Sequence, residues 1–259
     1  MDGILVDVTQ CIGCEKCVAA CTKRNGLDPW QADRDRAVTS DGLSEHRLST
    51  VLKVADGRFA RKSCMHCLEP SCAAACPVGA LTKTPEGPVL YDRGKCIGCR
   101  YCMLACPFHV PRYEWDETFP YMVKCDMCSD RLSRNQPPAC VAACPQKALT
   151  FGDRDRLLSN ARASIREHAE RYHNHVWGER EFGGTSVIYI SDVGLTAMGW
   201  PARETAPIPS LTVPLLHKTP FIGLGVATGL LGLNWIVNRR NELAAQPEAN
   251  PESREKRRE

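Results

Sequence analysis

The sequence carries little net charge and lacks the features of an N-terminal secretion signal. Its 33 lysines and arginines are offset by 30 aspartates and glutamates, which leaves a net charge of +3 over 259 residues. A balance this close argues against nucleic acid as a ligand, because nucleic-acid-binding domains concentrate positive charge. The first residues, "MDGILVDVTQC", contain neither a basic start nor an apolar stretch. We therefore expect no signal peptide on this chain.

No cysteine lies outside four groups of four. The chain has sixteen cysteines, and its 43% hydrophobic and 24% charged residues are otherwise ordinary for a globular protein. A disulfide framework threaded through loops would rarely group its cysteines in this way. In chain order the four quartets are Cys11, Cys14, Cys17 and Cys21; Cys64, Cys67, Cys72 and Cys76; Cys96, Cys99, Cys102 and Cys106; Cys125, Cys128, Cys140 and Cys144.

The spacing within the quartets indicates the group that they bind. The third quartet, "CIGCRYCMLACP" at 96–107, follows the Cys-x2-Cys-x2-Cys-x3-Cys-Pro run that holds [4Fe–4S] clusters in bacterial two-cluster ferredoxins. The first quartet has the same spacing, and the second and fourth widen one gap. Disulfides fit less well because bridges this short close almost no loop. Zinc is usually held by two separated Cys-x-x-Cys pairs. The spacing therefore predicts four [4Fe–4S] clusters.

The quartets also form an internal repeat, in which "ACPVGAL" at 75–81 corresponds to "ACPQKAL" at 143–149. Each copy predicts a short helix, a proline stop and a short strand, which is typical of a ferredoxin-like α+β unit. We predict a four-cluster domain over residues 1–200, with an inner two-cluster module at about 60–112 and a helix-and-strand extension at about 152–200.

Three segments outside the cysteine motifs carry their own structural signals. The alternation in "RLSTVLKV" (47–54) and the turn at Asp56-Gly57 predict a hairpin within an insertion at 28–62. Asp153 is a candidate N-cap for a helix whose apolar face is predicted to comprise Leu157, Leu158, Ala161 and Ile165. The glycine turn in "FGGTSVIYIS" (182–191) predicts a buried strand after it.

A single long apolar run occupies residues 221–237, where only Thr228 and Asn234 have polar side chains. As a helix these seventeen residues would span roughly 26 Å, slightly less than a hydrocarbon core of about 30 Å. A buried core helix is the alternative that this modest length favours. Trp235 and the arginines that follow it favour a transmembrane helix instead. We predict a Pro-rich connector at 201–219, a transmembrane helix at 220–238 and a charged tail at 239–259.

The basic residues beside the apolar run predict its orientation. Arg203 and Lys218 lie on its N-terminal side, and six basic residues lie on its C-terminal side. The positive-inside rule then places the tail in the cytoplasm and the cysteine-rich domain outside the cell membrane. Because the chain starts without a signal, we expect export together with a signal-bearing partner. The six residues are Arg239, Arg240, Arg254, Lys256, Arg257 and Arg258.

The cysteine motifs resemble those of the four-cluster iron–sulfur subunits of the dimethyl-sulfoxide-reductase type. The segments concerned are "DVTQCIGCEKCVAAC", "CMHCLEPSCAAACPVGAL", "CIGCRYCMLACPFHVPRY" and "KCDMCSDR…PACVAACP". Within that group, "FGGTSVIYISDV" and the single C-terminal helix resemble the beta subunit of membrane-bound respiratory formate dehydrogenase. They are similar, almost as closely, to the equivalent subunit of a membrane-bound nickel–iron hydrogenase. The resemblance extends over nearly the whole chain.

This resemblance implies an α+β fold of two ferredoxin-like two-cluster modules, plus one C-terminal transmembrane helix. One module pairs the first quartet with the fourth, and the other pairs the second with the third. Because the third quartet keeps all four cysteines, four [4Fe–4S] clusters are expected and no three-iron cluster. The implied ligands are set I (Cys11, Cys14, Cys17, Cys144), set II (Cys21, Cys125, Cys128, Cys140), set III (Cys64, Cys67, Cys72, Cys106) and set IV (Cys76, Cys96, Cys99, Cys102).

The resemblance further implies a non-catalytic electron-transfer subunit, without catalytic residues of its own. Electrons would enter from a catalytic subunit, either a molybdenum or tungsten formate dehydrogenase or a nickel–iron hydrogenase. They would leave through a membrane cytochrome b or quinone-reactive subunit. The pair of sets I and II would lie nearer the catalytic subunit, and the pair that includes Cys96 (sets III and IV) would lie nearer the membrane lipid. A free-standing polyferredoxin and a zinc-structured interaction module remain alternatives.

Several charged and aromatic side chains near the cysteines have two possible roles. Lys95, Arg100 and Lys124 flank cluster cysteines, so they either stabilise the more negative reduced clusters or are solvated surface charges. His66 and His109 occupy variable positions inside the motifs and are interpreted as packing or hydrogen-bonding residues.

Overall fold

The N-terminal strand forms the centre of the largest sheet, with partners from distant parts of the chain. The computed structural model describes residues 1–201 and 206–245. The strands there are β1 (Asp2–Asp7), β2 (Thr50–Ala55), β3 (Arg58–Lys62), β4 (Leu81–Lys83), β5 (Val89–Tyr91), β6 (Arg112–Tyr113), β7 (Met122–Val123), β8 (Leu149–Asp153) and β9 (Val187–Ile190). β1 pairs antiparallel with β8 and parallel with β9.

The helices near the cysteines are short, and two longer helices follow them. Short 3-10 turns at Val8–Gln10 and Arg93–Lys95 precede the first and third quartets, and two more lie at Glu181–Gly183 and Thr196–Met198. The helices are α1 (Lys16–Arg24), α2 (Pro29–Val38), α3 (Ser71–Ala74), α4 (Tyr101–Ala105), α5 (Ser129–Leu132), α6 (Ala139–Ala142), α7 (Arg154–Glu167) and α8 (Pro209–Ala245).

The pairing of strands and helices follows the predicted pairing of quartets. β1 precedes the first quartet and pairs antiparallel with β8, which follows the fourth. β5 precedes the third quartet and pairs antiparallel with β4, which follows the second. Helix α1 packs against α6, and α3 packs against α4 in the same way. The chain thus contains two copies of one α+β unit, each built from two quartets, and this part of the predicted fold is confirmed.

The three other predicted elements are confirmed too. β2 and β3 form the hairpin, and the turn at Asp56-Gly57 has Gly57 at φ +66°. Asp153 caps α7 by accepting hydrogen bonds from the N–H groups of Asp155 and Arg156. Every residue of β9 is buried. The predicted apolar face of α7 is buried beneath the sheet against Leu5 and Ile188.

The C-terminal helix begins earlier than the sequence predicted. It starts at Pro209, so it includes residues 209–219 of the predicted connector, and Pro214 and Pro220 both lie inside it. Pro220 was expected to be the first helical residue because proline has no N–H to lose at that position, but the same argument applies to Pro209. The helix is long and apolar enough to cross a membrane by length and composition. Residues 1–210 form one compact unit, and the chain from residue 211 belongs to a second. Residues 246–259 of the predicted tail lie outside the described residues.

Candidate metal centres

The cysteine loops of the first and third quartets have the same unusual backbone. Gly13 and Glu15 have φ values of +71° and +56°, and the matching Gly98 and Arg100 have +69° and +65°. Left-handed residues at alternate positions wind the loop tightly and turn N–H groups toward its inside. Gly98 N–H accordingly donates to Cys96 Sγ at 3.4 Å. A run of three cysteines thereby surrounds one centre.

The four cysteines of set I lie together. Cys11, Cys14 and Cys17 of the first quartet and Cys144 of the fourth all line one cavity. The pKa of the Cys17 thiol is raised to about 11, mainly by burial. Arg61 opposes this rise, and the neighbouring thiolates of Cys11 and Cys144 contribute to it. Cys14, which also lines the cavity, is exposed to solvent.

Set II also draws on the first and fourth quartets. Cys21, Cys125, Cys128 and Cys140 are all buried. Burial raises the pKa of Cys125, and the nearby thiolates of Cys21 and Cys140 act in the same direction. Cys128 lies close enough to Cys140 for the same repulsion. Met127 N–H donates to Cys125 Sγ at 3.4 Å, so this loop too directs a backbone donor at its sulfur.

Sets III and IV are arranged similarly in the second module. Burial raises the pKa of Cys67, and thiolates at Cys64, Cys106 and Cys72 add to the effect. Burial raises the pKa of Cys102, and the neighbouring thiols of Cys96 and Cys99 act in the same direction. In set IV, Ala80 N–H donates to Cys76 Sγ at 3.2 Å. Cys76 packs in the same apolar group of residues as Cys102.

Neighbouring sets approach each other in a fixed order. Cys17 of set I is close to Cys140 of set II, and Cys125 of set II is close to Cys64 of set III. Cys72 of set III is close to Cys102 of set IV, and burial is the main reason why the pKa of Cys72 is raised to about 12. The four sets therefore form a series in the order I, II, III and IV.

The sites suit a cluster better than a single ion. Among the side chains that the structure describes, no three or more His, Cys, Asp or Glu residues are grouped so that they could hold one metal ion. A cubane takes one thiolate at each of its four irons, so its ligands are spread around it. Buried thiols whose pKa values are raised by one another require a positively charged group if all four are to ionise. The residues present therefore fit [4Fe–4S] clusters.

The three cations that the sequence singled out lie in different surroundings. Lys95 is 59% exposed and pairs with Asp92, and Arg100 is exposed and stacks on Trp115. Lys124 is buried, and its charge acts on Cys72. Of these three cations, only Lys124 is thus buried with its charge acting on a cysteine of the quartets.

Two further cations were missed by the sequence analysis. Arg61 is fully buried beside cysteines of sets I and II. Lys83 is half-buried near Cys67 and Cys64, and burial lowers its pKa to about 8. Arg61 stands three residues before Cys64 in "FARKSC", but its nearest thiols belong to other quartets. The pair of basic residues in this segment, Arg61 and Lys62, is the only sequence signal that could have indicated Arg61.

Hydrogen-bonding aromatic residues complete the sites. His66 is fully buried, and its Nδ1 accepts the N–H of Val89 at 2.8 Å, so its interpretation as a hydrogen-bonding residue is confirmed. Tyr113 is buried, with its hydroxyl 3.5 Å from Cys102 Sγ. Tyr91 forms a side-chain hydrogen bond with Cys96. Burial raises the pKa of Tyr91 most, and the hydrogen bond with Cys96 raises it as well.

Comparison with known proteins identifies the class to which these sites belong. A family profile described as a 4Fe-4S dicluster domain matches residues 55–154, and a second profile with the same description matches residues 10–80. The chain is therefore a 4Fe–4S dicluster protein, and its sixteen cysteines correspond to four [4Fe–4S] clusters.

Similarity to individual proteins shows more specifically which family the chain belongs to. A protein of Nitratidesulfovibrio vulgaris is 40% identical over 95% of this chain and 70% of its own length. The hydrogenase-2 operon protein HybA of Escherichia coli O157:H7 is 30% identical over 92% of this chain and 84% of its own length. The iron-sulfur subunit of the nitrate-inducible formate dehydrogenase of Escherichia coli K12 is 33% identical over 72% of this chain and 66% of its own length. The chain belongs to the four-cluster iron–sulfur subunits of the dimethyl-sulfoxide-reductase type, whose members are electron-transfer subunits of oxidoreductase complexes.

Proposed function

We propose that this chain relays electrons from a catalytic subunit to a membrane subunit through four [4Fe–4S] clusters held by sets I to IV. The observation that carries the proposal is the series in which each set contributes a cysteine close to the next. Bound clusters supply one-electron redox chemistry. The chain's own residues fix the ligands, exclude water from the inner sites and set the charge around them.

The exposure of the cysteines supports entry and exit at the two ends of the series. Cys14 of set I and Cys99 of set IV are exposed, whereas every cysteine of set II is buried. Exposed apolar side chains flank both ends: Ile12 beside set I, and Ile97 and Leu104 beside set IV. Apolar surface next to an exposed site is typical of a docking interface. We propose that set I faces the catalytic subunit and set IV the membrane subunit.

The C-terminal helix is proposed to anchor the chain in the cell membrane. Its leucines are exposed, and none of its most apolar window is buried. Apolar surface of this length is stabilised by lipid or by neighbouring membrane helices. By the positive-inside rule the chain is oriented with its C-terminus in the cytoplasm and its clusters outside. Export with a signal-bearing catalytic partner accounts for this orientation.

The electron donor is proposed to be a hydrogenase. The similarity to the hydrogenase-2 operon protein extends over 92% of this chain and 84% of that relative. Formate dehydrogenase, which the cysteine motifs and the C-terminal segment suggested first, is the second candidate, because its iron-sulfur subunit is similar over 72% of this chain. A membrane cytochrome b or quinone-reactive subunit is the proposed acceptor in either case.

Elemental analysis of the detergent-solubilised complex tests the proposal. The complex is purified anaerobically through a tag on this chain, and iron, sulfide, nickel, molybdenum and tungsten are measured. We expect about sixteen irons per chain beyond those of its partners, from four irons in each cluster. Nickel would identify a hydrogenase, and molybdenum or tungsten a formate dehydrogenase. A complex rich in zinc and poor in iron would contradict the proposal, as would a tagged chain that retains no metal-containing partner.

A further inference from the structure

Arg61 is a buried cation beside the cysteines of sets I and II, and it is not one of the cluster ligands. It lies on β3 of the hairpin, opposite Val51 of β2, and its side chain is buried with 2% exposure. It lines the same cavity as set I. The thiolates of Cys140, Cys125, Cys17 and Cys21 hold its pKa above the ordinary value, although burial alone would lower it. One guanidinium therefore lies beside cysteines of both sets of the first module.

The hydrogen bonds of Arg61 leave part of its charge without a protein partner. Its Nη1 donates to Ser63 Oγ at 2.7 Å. Its Nε is buried without an acceptor. Of the side chains that the structure describes, no Asp or Glu forms an ion pair with it. A buried charge without a counter-charge is strongly destabilising. The anion that balances Arg61 is then the cluster with its thiolates.

We propose that Arg61 is the shared counter-charge of the clusters of sets I and II and raises the reduction potential of both. The inference rests on the proposed electron-transfer function. Each cluster accepts one electron without a bond being made or broken, so reduction adds one negative charge. Arginine does not release its proton in proteins, so its positive charge persists in both redox states. The attraction is strengthened by the low dielectric of the interior and favours the reduced cluster.

The position of Arg61 predicts which clusters change their reduction potential when Arg61 is replaced. Three of the four cysteines that act on Arg61 belong to set II, and Cys17 alone belongs to set I. Because Arg61 also lines the cavity of set I, the potentials of both clusters of the first module should change. The second module has its own cations, because Lys124 acts on Cys72 and Lys83 lies near Cys67 and Cys64. The clusters of sets III and IV should thus be independent of Arg61.

Redox titration of the intact complex, followed by electron paramagnetic resonance, tests this assignment. In R61Q we expect two of the four midpoint potentials to fall, one of them by at least a tenfold change in the equilibrium constant for reduction, which is 59 mV for one electron. The other two potentials should stay at the wild-type values. R61K keeps a positive charge and should recover most of the change. The matched control is R58Q, which removes an arginine of the same strand that pairs with Asp192 instead of a cysteine.

Iron and sulfide content separate a change in potential from a loss of clusters. Full iron in R61Q with four unchanged potentials would overturn the inference, and so would an equal shift of all four. If the R61Q complex loses iron, the R61K complex provides the test. An R61K complex with full iron content and near wild-type potentials supports the inference. Lost iron in both variants, or R61K potentials as low as a neutral side chain would give, contradicts it. A wild-type complex without four clusters would instead refute the proposed function.

Discussion

At the residue scale, hydrogen-bond donors around the cysteine sulfurs influence the reduction potential of the cluster that those sulfurs would bind. Backbone N–H groups of Gly98, Met127 and Ala80 point at cysteine sulfurs, and the hydroxyl of Tyr113 approaches Cys102. Hydrogen bonds to sulfur draw negative charge from the cluster, so they favour the reduced state and raise the potential. Individual side chains and amides beside the sulfurs thus tune the reduction potentials.

Replacing Tyr113 with Phe should lower one cluster potential and leave three unchanged. The substitution removes the hydroxyl 3.5 Å from Cys102 Sγ and keeps the buried ring that packs in the core of the second module. Redox titration with iron analysis checks the result, and we expect unchanged iron. Tyr121→Phe is the matched control, because its ring stacks under Arg93. A Y113F complex with four wild-type potentials would show that this hydroxyl does not tune set IV.

The sequence revealed the cysteines but not most of the groups that surround them. Cysteine spacing is a local property, so the quartets could be read directly from the chain. Arg61, by contrast, acts on Cys140, which is 79 positions away along the sequence, and only the folded hairpin brings the two together. Tyr113 could not be distinguished from an ordinary core tyrosine, because its role depends on a contact with Cys102 across a turn.

At the scale of elements, partly buried ion pairs hold the insertion at 28–62 to the modules. Asp41 accepts hydrogen bonds from Arg112 at 2.7 and 2.8 Å and from Lys62 at 3.1 Å. Arg47 pairs with Glu15 in the first cysteine loop at 2.7 Å. The hydroxyl of Tyr189 on β9 donates to the carbonyl of Arg61. These contacts join the hairpin to both modules and fix Arg61 between sets I and II.

Asp41→Asn should destabilise the chain by about 2 kcal/mol, the usual range for hydrogen bonds to charged groups. Burial alone would raise the pKa of Asp41, but Arg112 and Lys62 outweigh it and lower this pKa below its ordinary value of 3.8. A lowered pKa contributes stability above the unfolded value, which is lost only as the pH falls through the folded one. Anaerobic thermal unfolding should show the same difference from wild type at pH 8 and pH 5.

The control for that experiment is Asp56→Asn, which removes an exposed carboxylate at the turn of the same hairpin. We expect its unfolding midpoint to match that of the wild type. A D41N difference that disappears between pH 8 and pH 5 would contradict the assigned pKa direction.

The boundaries of elements were predicted less well than their existence. The hairpin, α7 and β9 were all anticipated, because alternation, an N-cap and a glycine turn are local signals. The start of α8 was placed eleven residues late, at Pro220 instead of Pro209. Proline suits the first turn of a helix wherever that turn lies, so a segment with several prolines offers several equally good starts.

Removing α8 should release the chain from the membrane without loss of iron. Residues 1–210 form a compact unit, so truncation after residue 208 leaves the cysteine-rich domain intact. We expect the truncated chain in the soluble fraction and the full chain in the membrane fraction, as measured by fractionation and iron analysis. Deletion of residues 246–259 alone should leave the chain in the membrane. A truncated chain that stays in the membrane fraction without partner subunits would contradict the anchoring role.

At the scale of the whole molecule, two copies of one unit place the four sets in a series. Each copy brings two quartets together, and the copies meet where Cys125 approaches Cys64. The exchange of cysteines between quartets was implied by the family resemblance. The strand pairs β1–β8 and β4–β5 give it a structural basis, since each pair joins the strand before one quartet to the strand after its partner. A series has two ends, so the proposed order of the clusters can be tested by a substitution at each end.

Substitutions at the two ends should affect different reactions of the complex. Cys102→Ser removes a ligand of set IV, so quinone reduction should fall by about tenfold or more, the scale of effects seen when a metal site is disturbed. Dye reduction at the catalytic subunit should change much less, because electrons can leave before they reach set IV. The paired variant is Cys14→Ser in set I, which should impair quinone reduction as strongly and leave the clusters of sets III and IV intact by iron analysis. Equal loss of both activities in C102S would contradict the order I, II, III, IV, because it would place set IV at the entrance of the path.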